Sequence, residues 1–312
     1  MIQHTVNTPY MVGEVHFYTE ETVEGLVLFD TGPPTPEGLA ALARAVDYGR
    51  LSRVLLTHCH VDHYGLANHL AAKSDAMIHV PRADWLRFAR HEERAARMGE
   101  LLEGYGFGAA FIESLRDRVD RITLKPESPE RWRVVEDSPE LRALGIDWEA
   151  FPGHSQSDMA YKLDGLAVTG DILLDGIFQV PLLDIDFGGG GGRYPNYEVW
   201  CDSLLRLADL RGRRILPGHR YKVEVAEALL RYTGTLLQRA RLLRPHRGLP
   251  YPEILERVFA GRLKDSFHLY LKLSEVIFML DFLERPGLLE ESLRAAGLFE
   301  AVAADFALAL GT

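Results

Sequence analysis

Cysteine is almost absent from the 312-residue chain, which holds only Cys59 and Cys201. Two cysteines cannot build a disulfide scaffold, and their scarcity fits a reducing compartment, so a cytoplasmic protein is expected. Long hydrophobic runs are missing too. The apolar stretch at 276–284 is broken by Asp281, and no run approaches the roughly 18 apolar residues of a membrane span. Residues 1–10 lack a basic patch followed by an apolar core, so no secretory signal is expected. Nor is there a surplus of positive charge. A net charge of −10 argues against general nucleic-acid binding as the main role. What remains is ordinary for a globular chain: 47% hydrophobic and 26% charged residues exclude wholesale disorder. The length suits one large domain, or one domain plus a smaller one, with a core that needs neither disulfides nor oligomerisation.

The charge is unevenly spread. Residues 201–250 hold eleven basic residues against four acidic ones, a surplus of seven that leaves −17 for the rest of the chain. Such a segment is either a solvated helix face or a positive rim that attracts an anionic substrate. Gly188–Gly192 are five glycines in succession. They lack the flanking strand, helix and lysine of a phosphate-cradling loop and read as a flexible loop.

Residues 25–80 alternate strand and helix. Strands are expected at 25–32, 53–57 and 76–80, with helices at 36–47 and 66–73, the former presenting Leu39, Leu42, Ala43 and Val46 at helical spacing. Residues 82–126 read as a charged helical insertion. Strand-like runs follow at 146–153, 166–172 and 213–219, each ending at Gly or Pro-Gly. After residue 222 the pattern becomes helical, at 223–244, 251–260, 267–284, 287–296 and 299–310. The expected organisation is a catalytic domain over 1–222 and an α-helical module over 223–312.

The segment 55–65, LLTHCHVDHYG, carries His58, His60, Asp62 and His63 directly after an apolar strand. Imidazole nitrogen and carboxylate oxygen suit a borderline divalent metal such as zinc. Two residues apart on extended chain, His58 and His60 share one side. Asp62 and His63, at the turn into a helix, can serve a second position. Three further candidates each follow a strand: His154 in FPGHS, Asp171 in VTGDI and His219 in LPGHR. In layered α/β folds such strand ends converge. His69, His79, His91, His246 and His268 read instead as turn or core histidines, and replacing His79 is expected to leave metal and turnover untouched. Cys59 is expected to pack.

Together these segments resemble the metallo-β-lactamase-fold hydrolase superfamily: Asp30 in FDTG, the H-x-H-x-D-H loop, His154, Asp171 and His219 run in the superfamily's order over residues 30–219. The resemblance implies an αββα sandwich with a C-terminal α-helical module and two divalent metals at one edge, zinc by preference, with iron or manganese as alternatives. His58, His60 and His154 would hold the first metal and Asp62, His63 and His219 the second. Asp171 would bridge them, and Asp30 would orient a ligand histidine. Two histidines open the motif and no glutamate stands in it, which argues against the oxygen-reducing diiron branch. A metal-bridging water, ionised near neutral pH, would be the nucleophile. Asp62 would help to orient it, and no protein nucleophile is needed.

The layout resembles the glyoxalase-II-like and β-lactamase-like-protein-2 branches, in which a helical tail follows the catalytic domain. Arg220, Tyr221 and Lys222, beside His219, are the expected substrate contacts, with Arg231 and Tyr232 as further candidates. The expected activity is hydrolysis of a small, anionic thioester, ester or lactone. The alternative is a phosphodiesterase or single-strand ribonuclease, favoured by the basic stretch and disfavoured by the overall acidity. A non-catalytic binding protein is argued against by the complete ligand set.

Overall fold

In the computed structural model, residues 1–10, 12–188, 191–220 and 223–312 are described. Gly189 and Gly190 of the glycine run, and Tyr221 and Lys222 of the expected substrate contacts, lie outside the described residues.

Six strands form the first sheet: β1 (Ile2–Asn7), β2 (Glu14–Thr22), β3 (Gly25–Phe29), β4 (Leu51–Leu55), β5 (Met77–Val80) and β6 (Trp132–Val134), in that spatial order. The first three pair antiparallel, and β3 to β6 run parallel. The parallel connections carry α1 (Pro36–Ala45), the short α2 (Val61–Tyr64), α3 (Ala67–Lys73), and the insertion helices α4 (Arg82–Ala89), α5 (His91–Gly104) and α6 (Ala109–Ile122). The second sheet has the order β10-β9-β8-β7, from β7 (Asp147–Ala150), β8 (Met159–Leu163), β9 (Leu166–Gly170) and β10 (Arg214–Pro217), with α7 (Asn196–Leu207) before β10. Five helices follow: α8 (Val225–Leu243), α9 (Tyr251–Phe259), α10 (Ser266–Glu284), α11 (Pro286–Ala295) and α12 (Ala303–Leu310).

Strand alternation builds the layers. Val27 and Phe29 of β3 meet Met159, Tyr161 and Val168 between the sheets. Leu26 and Leu28 face α1 and α3 on one outer side. Ala160 and Ala167 face α7 and the C-terminal helices on the other. Both faces of each sheet are covered, so the strands read as near-continuous apolar runs. The result is the αββα sandwich. On α1 the buried side is Gly38, Ala41 and Leu42, while Leu39 is exposed, so the expected stripe is rotated by one position.

The sequence pattern does not announce β1, β2, β6 or β8. The last three are short or buried on both faces, so the period-2 signal is weak. The insertion does not stand apart from the tail: Met98, Leu102 and Leu115 share one apolar cluster with Tyr270, Leu273 and Phe278 of α10. Among the described residues no helix is long and apolar enough to cross a membrane. Both cysteines are buried and unpaired.

His79 is a core residue, 1% exposed, with Nδ1 3.0 Å from the Ser138 hydroxyl. It is therefore a poor inert control. His246, whose ring makes no hydrogen bond among the described residues, serves better. Burial, aided by Arg53 and Arg133, pushes the His79 pKa down to about 3. The unfolded chain takes up a proton near 6.5 that the folded chain refuses. The stability this gives is complete above about pH 6.5 and is lost as the pH falls toward about 3. We predict that His79→Gln flattens the acid side of the stability curve, by roughly 2–3 kcal/mol between pH 6.5 and 4. Urea unfolding at several pH values checks this, and equal acid slopes in the two proteins would refute it.

Candidate metal centre

Strands β3, β4, β7, β9 and β10 all leave the sandwich at one edge, and the segments after them carry the expected residues. Four contacts pin the two sheets together there. Tyr18 Oη donates to Pro217 O at 2.6 Å and Tyr161 Oη to Leu56 O at 2.7 Å. His16 N donates to Gly218 O at 2.7 Å and Met159 N to Thr57 O at 2.9 Å.

The side chains converge in two sets, each offering one ligand atom per residue within 4.8 Å of the others: His58, His60, His154 and Asp171, and Asp62, His63 and His219. In the first set, His60 Nδ1 lies 2.9 Å from His58 Nε2 and 3.1 Å from His154 Nε2. In the second, His63 Nε2 and His219 Nε2 are 3.3 Å apart, and Asp62 Oδ2 is 3.4 Å from His219 Nε2. Asp171 divides its oxygens between them. Its Oδ2 faces His154 Nε2 at 3.8 Å and His58 Nε2 at 4.0 Å, while its Oδ1 faces His63 Nε2 at 3.3 Å and His219 Nε2 at 3.4 Å.

Tautomers follow from the outer hydrogen bonds. His63 Nδ1 donates to Asp30 Oδ2 at 2.9 Å, His154 Nδ1 to Val180 O at 2.9 Å and His219 Nδ1 to Glu14 O at 2.6 Å. The Thr57 hydroxyl donates to Asp30 Oδ2 at 2.8 Å, which leaves it to accept from His58 Nδ1 at 3.1 Å. With Nδ1 committed as a donor, the neutral form of each ring turns an Nε2 lone pair inward. His60 is reversed: its Nδ1 faces the cluster, and its buried Nε2 has no hydrogen-bond partner among the described residues. Asp171 Oδ1 is likewise buried without a hydrogen-bond partner. Crowded lone pairs and an unsatisfied carboxylate oxygen fit a divalent cation.

The charge states differ between the two sets. Burial, with neighbouring histidines, pushes His58 and His60 well below the usual imidazole range, so they stay neutral. Burial alone would raise Asp171, but His219 and His63 more than offset it and hold the carboxyl well below its ordinary value. Burial would likewise lower His63, yet Asp171 and Asp62 keep it raised.

The backbone is shaped for this cluster. Asp30 and Arg220, beside the centre, are the non-glycine residues with left-handed φ among the described residues, at 56° and 65°, and strain of this type gathers at functional sites. A Cβ on Gly218 would come within 2.5 Å of His63 and 2.7 Å of Asp171, so only glycine fits before His219.

Sequence reasoning missed Asp84 and Arg87 of α4. Asp84 Oδ2 accepts from Cys59 N at 2.7 Å, Arg87 Nη2 donates to Cys59 O at 2.6 Å, and the two pair at 3.0 Å. The residue between His58 and His60 is thus clamped on both sides. The only signal was a D-x-x-R spacing in a stretch read as a charged insertion. The expected substrate contacts fare differently. Arg220 is exposed beside His219. Arg231 pairs with Asp175. Tyr232 stacks on Phe178 and Trp200, its hydroxyl donating to Gln179 O at 2.9 Å. Part of the basic stretch is paired: Arg206 with Glu149 and Asp202, Arg239 with Glu275, while Arg211, Arg213 and Arg244 donate to backbone carbonyls. Arg214, Arg220, Arg241 and Arg247 stay exposed, so a solvated face describes much of it.

This geometry, a sandwich with His and Asp side chains at the strand ends, defines a metallo-hydrolase class. The profile of the metallo-beta-lactamase superfamily matches residues 15–219, and the chain belongs to that superfamily as a metal-dependent hydrolase. The chain is similar to the probable metallo-hydrolase YqjP of Bacillus subtilis (strain 168), with 26% identity over 244 residues covering 72% of this chain and 73% of YqjP. Among solved structures it resembles the metallo-beta-lactamase family protein TTHA1429 of Thermus thermophilus, with a TM-score of 0.70 and 23% identity over 92% of this chain and 93% of that one. It also resembles a beta-lactamase domain protein of Burkholderia ambifaria, with a TM-score of 0.67 and 19% identity over 91% and 87%.

Asp30 supports both sets, His63 directly and His58 through Thr57. We predict that Asp30→Asn, which tolerates the same φ, weakens metal binding at the His63 set about 10- to 100-fold and at the His58 set less. Chelator-competition titration resolves the two classes, and unchanged affinity in both would refute this.

Proposed function

We propose that the chain is a dinuclear hydrolase of a thioester, ester or lactone. His58, His60 and His154 hold one divalent ion, Asp62, His63 and His219 the other, and Asp171 spans both. The observation that carries this reading is the division of the Asp171 oxygens between the two sets. When bound, the ions, zinc by preference, supply an ionised water near neutral pH and polarise the scissile oxygen.

The chain's own residues do the rest. Thr57, Asp30 and the carbonyls of Glu14 and Val180 hold the imidazoles in one tautomer. Asp62 turns Oδ2 toward His219, and its other oxygen orients the attacking water. Water adds at the carbonyl carbon, the C–S or C–O bond breaks, and the thiol or alcohol leaves with a proton. His58, Asp62, His63, Asp171 and His219 are buried, which limits the solvent around the reacting centre. In this reading residues 1–222 are the catalytic domain, and the helices of 223–312 wall its site. The substrate is small and anionic.

Metal analysis of the replete protein should approach about two divalent ions per chain. Asp171→Ala should lose metal and at least about 1000-fold in turnover of a thioester and lactone panel, because both sets lose an oxygen together, while His246→Ala retains both. Full activity at one ion or none would defeat the dinuclear reading. RNA cleavage without thioester or lactone turnover would shift the activity to the phosphodiesterase class.

Arg220, Tyr221 and Lys222 are proposed to meet an anionic group of the substrate at the mouth of the site, apart from any group held deeper in the pocket. A contact made equally in ground and transition states raises KM when lost and leaves kcat intact. Lys222→Ala should raise KM by about 3- to 10-fold at low salt and by less at high salt. Steady-state kinetics at two ionic strengths checks this, and an unchanged KM with unchanged salt dependence removes Lys222 from the site.

A further inference from the structure

One pocket opens beside the metal centre on the side of the insertion helices. Its lining includes His60, Arg87, Arg94, Ser157, Asp184 and Tyr270. The two arginines matter most. Arg94 is 12% exposed and spends Nε on Asp184 Oδ1 at 2.7 Å. Among the described residues no hydrogen bond ends on either of its terminal nitrogens. Arg87 Nε and His60 Nε2 are buried and also unpartnered. Three residues lining one small volume thus carry donor nitrogens without a partner among the described residues, although buried donors left unmade cost stability.

The donors are directional and the pocket is formally balanced, because Asp84 and Asp184 face the two guanidiniums. Recognition here would come from hydrogen bonds to a planar oxyanion, for which an arginine fork is suited, and less from a long-range field. Size selects the occupant. The cavity is about 40 Å³, room for about three waters on a scale where one needs about 10–15 Å³. That suits a carboxylate and its adjoining methylene better than a bulky thiol leaving group.

We propose that this pocket is the acyl-side subsite and takes a carboxylate at the end of the acyl group, read by the free fork of Arg94. The proposal rests on the acyl-hydrolase reading for its placement in the reaction, and adds the substrate class: an ester, thioester or lactone of a short dicarboxylic acid.

The test compares the N-acetylcysteamine thioesters of succinate and butyrate, which have the same chain length and differ at the end carbon. The metal-loaded wild type is expected to prefer the succinyl thioester in kcat/KM. Arg94→Ala should cut that preference about 10- to 100-fold, mainly through KM. Arg94→Lys keeps the ion pair with Asp184 but not the fork, so a well-folded Lys variant should lose most of the preference too. Arg121→Ala, an exposed change on α6, should keep it. Calorimetric binding of succinate to metal-loaded protein supplies a second readout. If neither thioester is hydrolysed but succinate binding weakens in both Arg94 variants, the subsite stands and the acyl-hydrolase reading falls. If Arg94→Ala leaves the preference and succinate binding unchanged, the subsite is overturned.

Discussion

Imidazole lone pairs aimed at one point repel, and a protein holds them there by pinning the rings from behind. Four of the five imidazoles at this centre have Nδ1 bound to an oxygen: three on another segment, from Asp30, Val180 and Glu14, and one on the neighbouring Thr57, itself held by Asp30. These oxygens lie on or beside β2, β3, β4 and the segment after β9, so the tautomers are set by how the sheets pack. Asp30 is the meeting point. It accepts from Thr57 N and Oγ1 and from His63 Nδ1, all within 2.9 Å, from a left-handed backbone that turns its carboxylate across β4. An aspartate can hold that φ at modest cost where a β-branched residue could not.

The sandwich exists, in functional terms, to bring five strand ends to one edge. Contacts from Tyr18 and Tyr161 cross between the sheets beside that edge, so their spacing is fixed by buried hydroxyls as well as apolar packing. The missing side chain at Gly218 is part of the same arrangement: it lets β10 approach until His219 meets His63 and Asp171. Local strain at Asp30 and Arg220 is tolerated because the surrounding core over-determines both turns.

Much of this was legible in the sequence, for physical reasons that differ by residue. His58, His60, Asp62 and His63 lie in one short stretch, so their spacing alone places them together. His154, Asp171 and His219 were readable because each follows an apolar run and a glycine-bearing turn, and such ends converge in layered folds. The β1–β2 hairpin and β8 were not, since a strand buried on both faces, or an edge with mixed polarity, carries no clear period. Asp84 and Arg87 were invisible because their role is tertiary: a helix interior gives no hint that its carboxylate caps a backbone amide 25 residues away. The basic stretch was only partly legible for a related reason. Formal charge counts cations but does not say which carboxylate or carbonyl each will meet, and Arg206, Arg211, Arg213, Arg239 and Arg244 meet theirs at the surface of neighbouring elements.

The insertion therefore acts at two ranges. Through Asp84 and Arg87 it fixes the backbone between two metal-seeking histidines, and through Met98, Leu102 and Leu115 it is packed into the C-terminal helices. Tyr270 of α10 donates to Leu183 O at 2.6 Å, on the segment whose Leu182 N donates to His154 O at 3.0 Å. The tail thus reaches the first metal set by way of Leu182 and Leu183, and the insertion reaches it by way of Cys59. A change in how α5 packs on α10 would alter the wall of the pocket beside His60 while leaving the strand ends in place. That separation of duties is how one catalytic edge can serve different substrates: the sheets hold the centre, and a helical cover sets what enters beside it.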